Sequence, residues 1–258
     1  MVRAFFIVLS RETSLRKTLL AAGFGLAILP SAQAQHWTYE GHEGPDHWGE
    51  LSESWGACSA GQQQSPIDLG TASGLSLQSM AIDWPETIPG TVIDNGHTIQ
   101  VNVEPGASLT IAGHEYALVQ FHFRAASEHT INGRHAPMEV HFVHADSEGG
   151  LAVIGVMIEA GAPLASLGSV WAVNPQPGGS GGVAASIHLG EFLPADRSAW
   201  RYAGSLTTPP CSEVVTWTVF RHAVTASDAQ IAWFEDRHPH SYRPALPLNR
   251  RHVLQIGG

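Results

Sequence analysis

The chain has 258 residues, 43% of them hydrophobic and 14% charged, with a formal charge of −10 at pH 7. That length suits one large domain or two small ones, and that apolar fraction is enough for a core. The acidic balance argues against nucleic acid or an anionic membrane surface as partner.

Residues 1–34 read as a cleaved secretory signal. Arg16 and Lys17 precede the apolar run TLLAAGFGLAIL, and Ala32-Gln33-Ala34 offers small residues at the spacing of a signal-peptidase site. The run falls short of the roughly 20 residues that span a bilayer, so an uncleaved anchor is the weaker alternative. Removing the segment takes away Arg3, Arg11, Arg16, Lys17 and Glu12, which moves the formal charge from −10 to −13. The expected product is one domain, residues 35–258, periplasmic or secreted and carrying no membrane segment. All 15 histidines lie within it. So do both cysteines, Cys58 and Cys211, and an even pair in an exported protein implies one disulfide. Two buried thiols are the alternative. A zinc pair is not expected, because no CxxC or nearby Cys/His spacing accompanies either cysteine.

Beyond the signal the pattern is that of half-buried strands. TIQVNV (98–103), SLTIAG (108–113), VQFHF (119–123), MEVHFVH (138–144), LAVIGVMIE (151–159) and VVTWTVF (214–220) alternate or run apolar, with turn residues at IDNGH (93–97) and INGR (131–134). Helical spacing occurs over Pro163–Trp171 and Ser227–Phe234, the second opened by a cap-like SDAQ. NPQPGGSGG (174–182) reads as a loop inside the domain, its prolines and glycines breaking any regular element. There is no internal repeat. The fold class is mainly β with few short helices, built on one large sheet.

The chemistry gathers in QFHFRAASEHTINGRHAPMEVHFVH (120–144). Strand periodicity puts His122 and Arg124 on one face, and Glu139, His141 and Val143 on one face of the next strand. If the two strands are neighbours, His122 and His141 converge, with Glu139 placed to hold the His141 ring in one tautomer. A single strand histidine is more often a satisfied core residue than a ligand. Two that converge beside a carboxylate point to a metal.

From about His36 to His252 the chain resembles the α-type carbonic anhydrases. The segments that carry the resemblance appear in order: HWTYEG (36–41), GPDHWGEL (44–51), QQSPIDL (63–69), IDNGHTIQV (93–101), QFHF (120–123), SEHTING (127–133), EVHFVH (139–144), LAVIGV (151–156), GSLTTPPC (204–211) and RPALPLNRR (243–251). The resemblance implies a large twisted, mostly antiparallel sheet with a conical cleft. It also implies a Zn2+ ion held by three histidines, whose bound water is acidified to attack carbon dioxide and give bicarbonate and a proton. By the same resemblance His122 and His141 are metal ligands, and Gln120 and Glu139 support them. Thr207 and Glu128 form a gatekeeper pair in which the threonine hydroxyl donates to the carboxylate. His97 is the proton shuttle, and Tyr39 belongs to its water network. Val143, Val153, Leu206 and Trp217 form the apolar wall for the substrate. His129 and His144 match buried structural histidines, and His135 is expected to face solvent.

Position 124 departs from the pattern, because the family has its second zinc ligand there. Arginine has five donors and no lone pair to give. A structural zinc site is worth about 10–16 kcal/mol, so one ligand of four carries about 2.5–4 kcal/mol, or roughly 10²–10³ in affinity. A fixed positive charge beside a dication weakens binding further. The expected function is therefore carbon dioxide hydration impaired by Arg124. The alternative is a carbonic-anhydrase-related binding protein that lacks zinc. A cupin-type metal site is a more distant reading, since it also wants His-x-His where Arg124 stands. A buried guanidinium needs a partner, and Glu128 or Glu139 is the expected one; a captured bicarbonate is the other possibility.

Overall fold

The computed structural model describes residues 35–257 apart from Thr71 and Leu77. The expected signal segment, 1–34, lies outside the described residues. Thirteen strands form one sheet: β1 (Gly74–Leu75), β2 (Met80–Asp83), β3 (Ile88–Asp94), β4 (Ile99–Val103), β5 (Ser108–Ile111), β6 (His114–Arg124), β7 (Met138–Ala145), β8 (Leu151–Ala160), β9 (Ser180–Ile187), β10 (Ala199–Gly204), β11 (Val215–Phe220), β12 (Val224–Ala226) and β13 (Leu254–Ile256). The main path runs β1-β13-β10-β11-β8-β7-β6-β4-β3-β9, with β12 beside β8 and the β2–β5 pair joined to β6. Pairing is mostly antiparallel. Only β1–β13, β8–β11 and β8–β12 are parallel among the described strands.

The six strands expected from alternation all form. β6 begins five residues earlier than expected, at His114, because Ala112 and Gly113 take positive φ and turn the chain back from β5. The loop reading of 174–182 needs a correction at its end. Ser180, Gly182 and the residues after them pair with β3, so β9 starts inside the glycine run. Glycine lacks propensity for strands, and here an existing edge supplies the hydrogen bonds that override it.

The helices α1 (Trp48–Leu51), α2 (Ala57–Ala60), α3 (Ala165–Trp171) and α4 (Asp228–Glu235) are short. α3 starts two residues after Pro163, because Leu164 is extended. At α4, Ser227 and Gln230 close a reciprocal capping box, as the SDAQ signature predicts.

The period of two divides the central strands between two cores. Phe121, Phe123, Val140 and Phe142 turn to the larger core behind the sheet, with Phe192, Trp171 and Phe234. The alternate residues face the other side, where Val153, Trp200, Tyr202 and Trp217 form a second core. A third cluster packs Trp48 against the Cys58–Cys211 disulfide, which closes a sequence separation of 153 and ties the N-terminal segment to the loop after β10. In the described residues no helix is long and apolar enough to cross a membrane.

Candidate active site

β6 and β7 pair in the register that brings the expected residues together. His122 lies opposite His141, Arg124 opposite Glu139, and Gln120 opposite Val143. All six therefore point to one face of the sheet. There Gln120, His122, Arg124, His141 and Val143 floor a cavity of about 160 Å³ whose apolar side is Val143, Val153, Leu206 and Trp217. His97 and Thr207 also line it, from the turn before β4 and the loop after β10. Glu128, Glu139 and Tyr39 stand behind this lining.

Each imidazole is held in one tautomer. His122 Nδ1 is 2.9 Å from Gln120 Oε1, so Nδ1–H donates and Nε2 is left as a lone pair with no hydrogen-bond partner. His141 Nε2 lies 3.0 Å from Glu139 Oε1, off the hydrogen-bond direction but close enough for the carboxylate to favour the proton on Nε2 and the lone pair on Nδ1. The two rings sit 5.2 Å apart at 88°. Burial, then Arg124 and His141, hold the His122 imidazole well below its ordinary pKa, so that ring is a neutral base at pH 7.

Glu139 is fully buried and saturated. Its Oε2 accepts from the backbone N–H of Glu128 and His129, and its Oε1 faces His129 Nδ1 at 2.8 Å as well as His141. Burial works against this carboxylate's charge, but His129 and His141 overcome it and hold the pKa far below the usual range. β8 makes room for it with Gly155, where a Cβ would stand 2.8 Å from Glu139 Oε1. His129 continues the chain of contacts to the Tyr202 hydroxyl at 2.6 Å, which lies 2.9 Å from the Ser65 hydroxyl. Among the described residues, His129, Glu139 and His141 bring three ligand-type side chains within 4.8 Å of one another. Their facing atoms are donor and acceptor to each other, so this trio is a hydrogen-bonded brace.

Arg124 is only 3% exposed. With Glu139 saturated, it turns to Glu128: Nε is 3.3 Å from Glu128 Oε2. The contact is close enough for charge pairing but off the hydrogen-bond direction, so Nε, Nη1 and Oε2 all lack a proper hydrogen-bond partner. Of the two carboxylates expected to receive the guanidinium, the structure selects Glu128. Its other oxygen, Oε1, accepts from the Arg243 backbone N–H. The guanidinium carbon also lies 5.7 Å from the centre of the Tyr39 ring, whose hydroxyl has no partner.

Two expected relationships are arranged differently. No hydrogen bond joins Thr207 to Glu128 among the described residues; Glu128 faces Arg124 with Oε2 and the Arg243 backbone N–H with Oε1. His97 stacks on Trp37 with ring centroids 3.7 Å apart and ring planes nearly parallel. Burial first, then the Arg124 charge, push its pKa down to about 4. A relay between the site and neutral buffer works best near an unperturbed value of about 6.5. His129 and His144 are buried and His135 is exposed, as expected.

Arg243 and Trp37 also take part, and no sequence pattern marks either one. Arg243 is buried and donates to Gln64, Ser65 and Cys58 as well as bracing Glu128. Its segment carried the family resemblance, but no spacing rule points from position 243 to position 128.

The residues present do not fit a three-imidazole zinc centre. Two lone pairs converge, and the third position presents a cation. Charge gives the same answer. The buried guanidinium groups of Arg124 and Arg243 balance the buried carboxylates of Glu128 and Glu139 with no metal added. A dication would leave that cluster with excess positive charge in a dry site.

Fold and cleft together define a single-sheet β protein with an imidazole-lined cleft set against an apolar wall. Residues 43–257 match the family model described as eukaryotic-type carbonic anhydrase, and the chain belongs to that family. It is 41% identical over 249 residues to a carbonic anhydrase of Klebsiella pneumoniae, covering 95% of this chain and 100% of the relative. A carbonic anhydrase of Nostoc is 40% identical, covering 92% of this chain and 93% of the relative. Among solved structures, the α-carbonic anhydrase of Thermovibrio ammonificans in complex with the inhibitor sulfanilamide superposes with a TM-score of 0.82 at 41% identity, over 86% of this chain and 100% of that one.

Proposed function

We propose that this is an exported α-carbonic-anhydrase-type protein whose cleft is built for reversible hydration of carbon dioxide to bicarbonate, with turnover impaired by Arg124. The observation that carries the reading is the buried Arg124–Glu128 pair beside two imidazoles whose lone pairs converge. Family membership supports the reaction, and zinc hydroxide is the chemistry the family's metal supplies. No step through zinc follows from this chain's residues, because position 124 carries a cation where a lone pair is needed. The remaining parts have clear tasks. Val143, Val153, Leu206 and Trp217 offer an apolar seat for a neutral gas, and Gln120 and Glu139 fix the two rings. Thr207 sits on the cleft wall, where freeing Glu128 from Arg124 would make the carboxylate available to its hydroxyl. The disulfide fits an oxidising compartment, periplasmic or extracellular.

A second reading, a metal-free binding protein of the same family, draws on the same ion pair. It is favoured by the unpartnered donors at Arg124 Nη1 and the Tyr39 hydroxyl, which an oxyanion would satisfy. The neutral charge count opposes it. Comparing carbon dioxide hydration by the wild type and Arg124→His, each with zinc supplied, tests the first reading. The expected result is a gain of at least roughly 10²-fold in the variant, following the worth of one zinc ligand. A wild type that already hydrates as fast as Arg124→His overturns it.

A further inference from the structure

All nine basic side chains of residues 35–258 are arginines, and the chain's single lysine, Lys17, lies in the expected signal segment. Removal of that segment, the step on which the proposed exported form rests, leaves the α-amine of Gln35 as the only primary amine. Carbon dioxide modifies such groups. The neutral nitrogen bonds to its carbon, one C=O electron pair moves to oxygen, and the amine proton passes to buffer, leaving a carbamate. An α-amine has an ordinary pKa of about 7.7–8.0, so roughly a tenth to a fifth of it is neutral at pH 7. For a lysine near 10.4 the neutral share is below about one in a thousand. The one amine left is the reactive kind.

The fold sets that amine beside the cleft. The compact domain begins at Gln35. His36 Nδ1 is 3.0 Å from Glu43 Oε2, and the Thr38 backbone N–H donates to the Glu43 carbonyl, so the chain is pinned from residue 36 onward. Trp37 stacks on His97 and lines the cleft. Gln35 is two residues upstream of Trp37, at most about 7 Å of chain, and it is exposed. Glutamine is also a residue whose side chain can consume its own amine. The α-nitrogen attacks Cδ and closes a five-membered lactam. The bond from Cδ to the amide nitrogen breaks, and the amine's proton leaves with that nitrogen as ammonia. The step needs no oxidant or second reactant, and the exposure of Gln35 leaves room for the ring to close.

We propose that Gln35 is a modification site: it closes to pyroglutamate, and the mature protein then offers no primary amine to the carbon dioxide at its cleft. The all-arginine composition and the terminal glutamine act together. A lysine elsewhere in the domain would keep an amine in place whatever happened at residue 35, and a different first residue would leave the α-amine open. Arginine supplies the positive charges without joining this chemistry, since its guanidinium stays protonated.

Intact-mass spectrometry of the full chain, exported from its own precursor and then held at neutral pH, tests the site. The expected mass is that of residues 35–258 with the disulfide closed, lighter by one ammonia, and an amine-reactive ester should add no label. Gln35→Ala keeps small residues around the cleavage site but cannot cyclise, so it should lose no ammonia and take one label per chain. Under isotopically labelled carbon dioxide, carbon NMR should show a carbamate on Gln35→Ala and none on the wild type. A wild type that begins at Gln35 with a free amine overturns the modification. Equal carbamate on the two proteins overturns its protective effect. A wild type that begins at any other residue overturns this inference together with the expected cleavage after Ala34. None of these readouts depends on zinc or on hydration, so the reading of the cleft stands or falls separately.

Discussion

Replacing Arg124 with glutamine removes the charge facing Glu128 while keeping a polar side chain of similar reach. Glu128 is fully buried; its Oε1 keeps the Arg243 N–H, and its Oε2 is left facing the His141 lone pair at 3.7 Å. At the observed 3.3 Å separation the attraction is about 5 kcal/mol with an effective dielectric near 20. Breaking one side of a buried pair generally costs about 3–5 kcal/mol. One feature favours the low end: the contact is off the hydrogen-bond direction. A loss near 3 kcal/mol is expected, or a fall in Tm of roughly 6–12 °C for a domain of this size. Thermal and urea unfolding in metal-free buffer measure it. Adding Glu128→Gln to the variant should recover most of the loss, because no buried charge is then left alone. A single variant within about 0.5 kcal/mol of wild type would refute the claim that this pair is needed to balance the cleft floor.

Reduction and alkylation of Cys58 and Cys211 should cost about 3–5 kcal/mol, given the length of the closed loop; two alkylatable thiols in protein exported and purified without reductant would contradict the bridge. His97 and His144 both have pKa values pushed down to about 4, by burial first in each case. The native state then binds fewer protons than the unfolded chain between about pH 4 and 6.5, so stability should rise with pH across that window and level off above it. Urea midpoints that stay flat between pH 4.5 and 6.5 would count against the buried, neutral placement of these rings. Titrating the metal-free protein with bicarbonate separates the two functional readings: the neutral charge count predicts no heat at millimolar concentrations, whereas heat that vanishes in Arg124→Ala would favour the anion-binding alternative.

The central strands were legible because their apolar residues alternate without interruption, and the pairing of His122 with His141 follows from period and adjacency alone. β9 was hidden by composition, since Ser180–Gly182 carries no strand preference and joins the sheet only because β3 offers an edge. At the site, residue types showed that position 124 could not ligate. They could not show which carboxylate receives the guanidinium, because that depends on how many hydrogen bonds Glu139 already holds, three in all, beside the close His141 ring. The stacking of His97 on Trp37 joins residues 60 apart in the chain, and no local pattern signals it.

The central question is whether Arg124 keeps zinc from the cleft. Equilibrium dialysis of the wild type and Arg124→His against micromolar zinc, followed by elemental analysis, measures this without relying on activity. Well under one zinc is expected per wild-type chain and close to one per variant chain, a difference in affinity of at least roughly 10²-fold. One tightly held zinc in the wild type, bound as well as in Arg124→His, would contradict it.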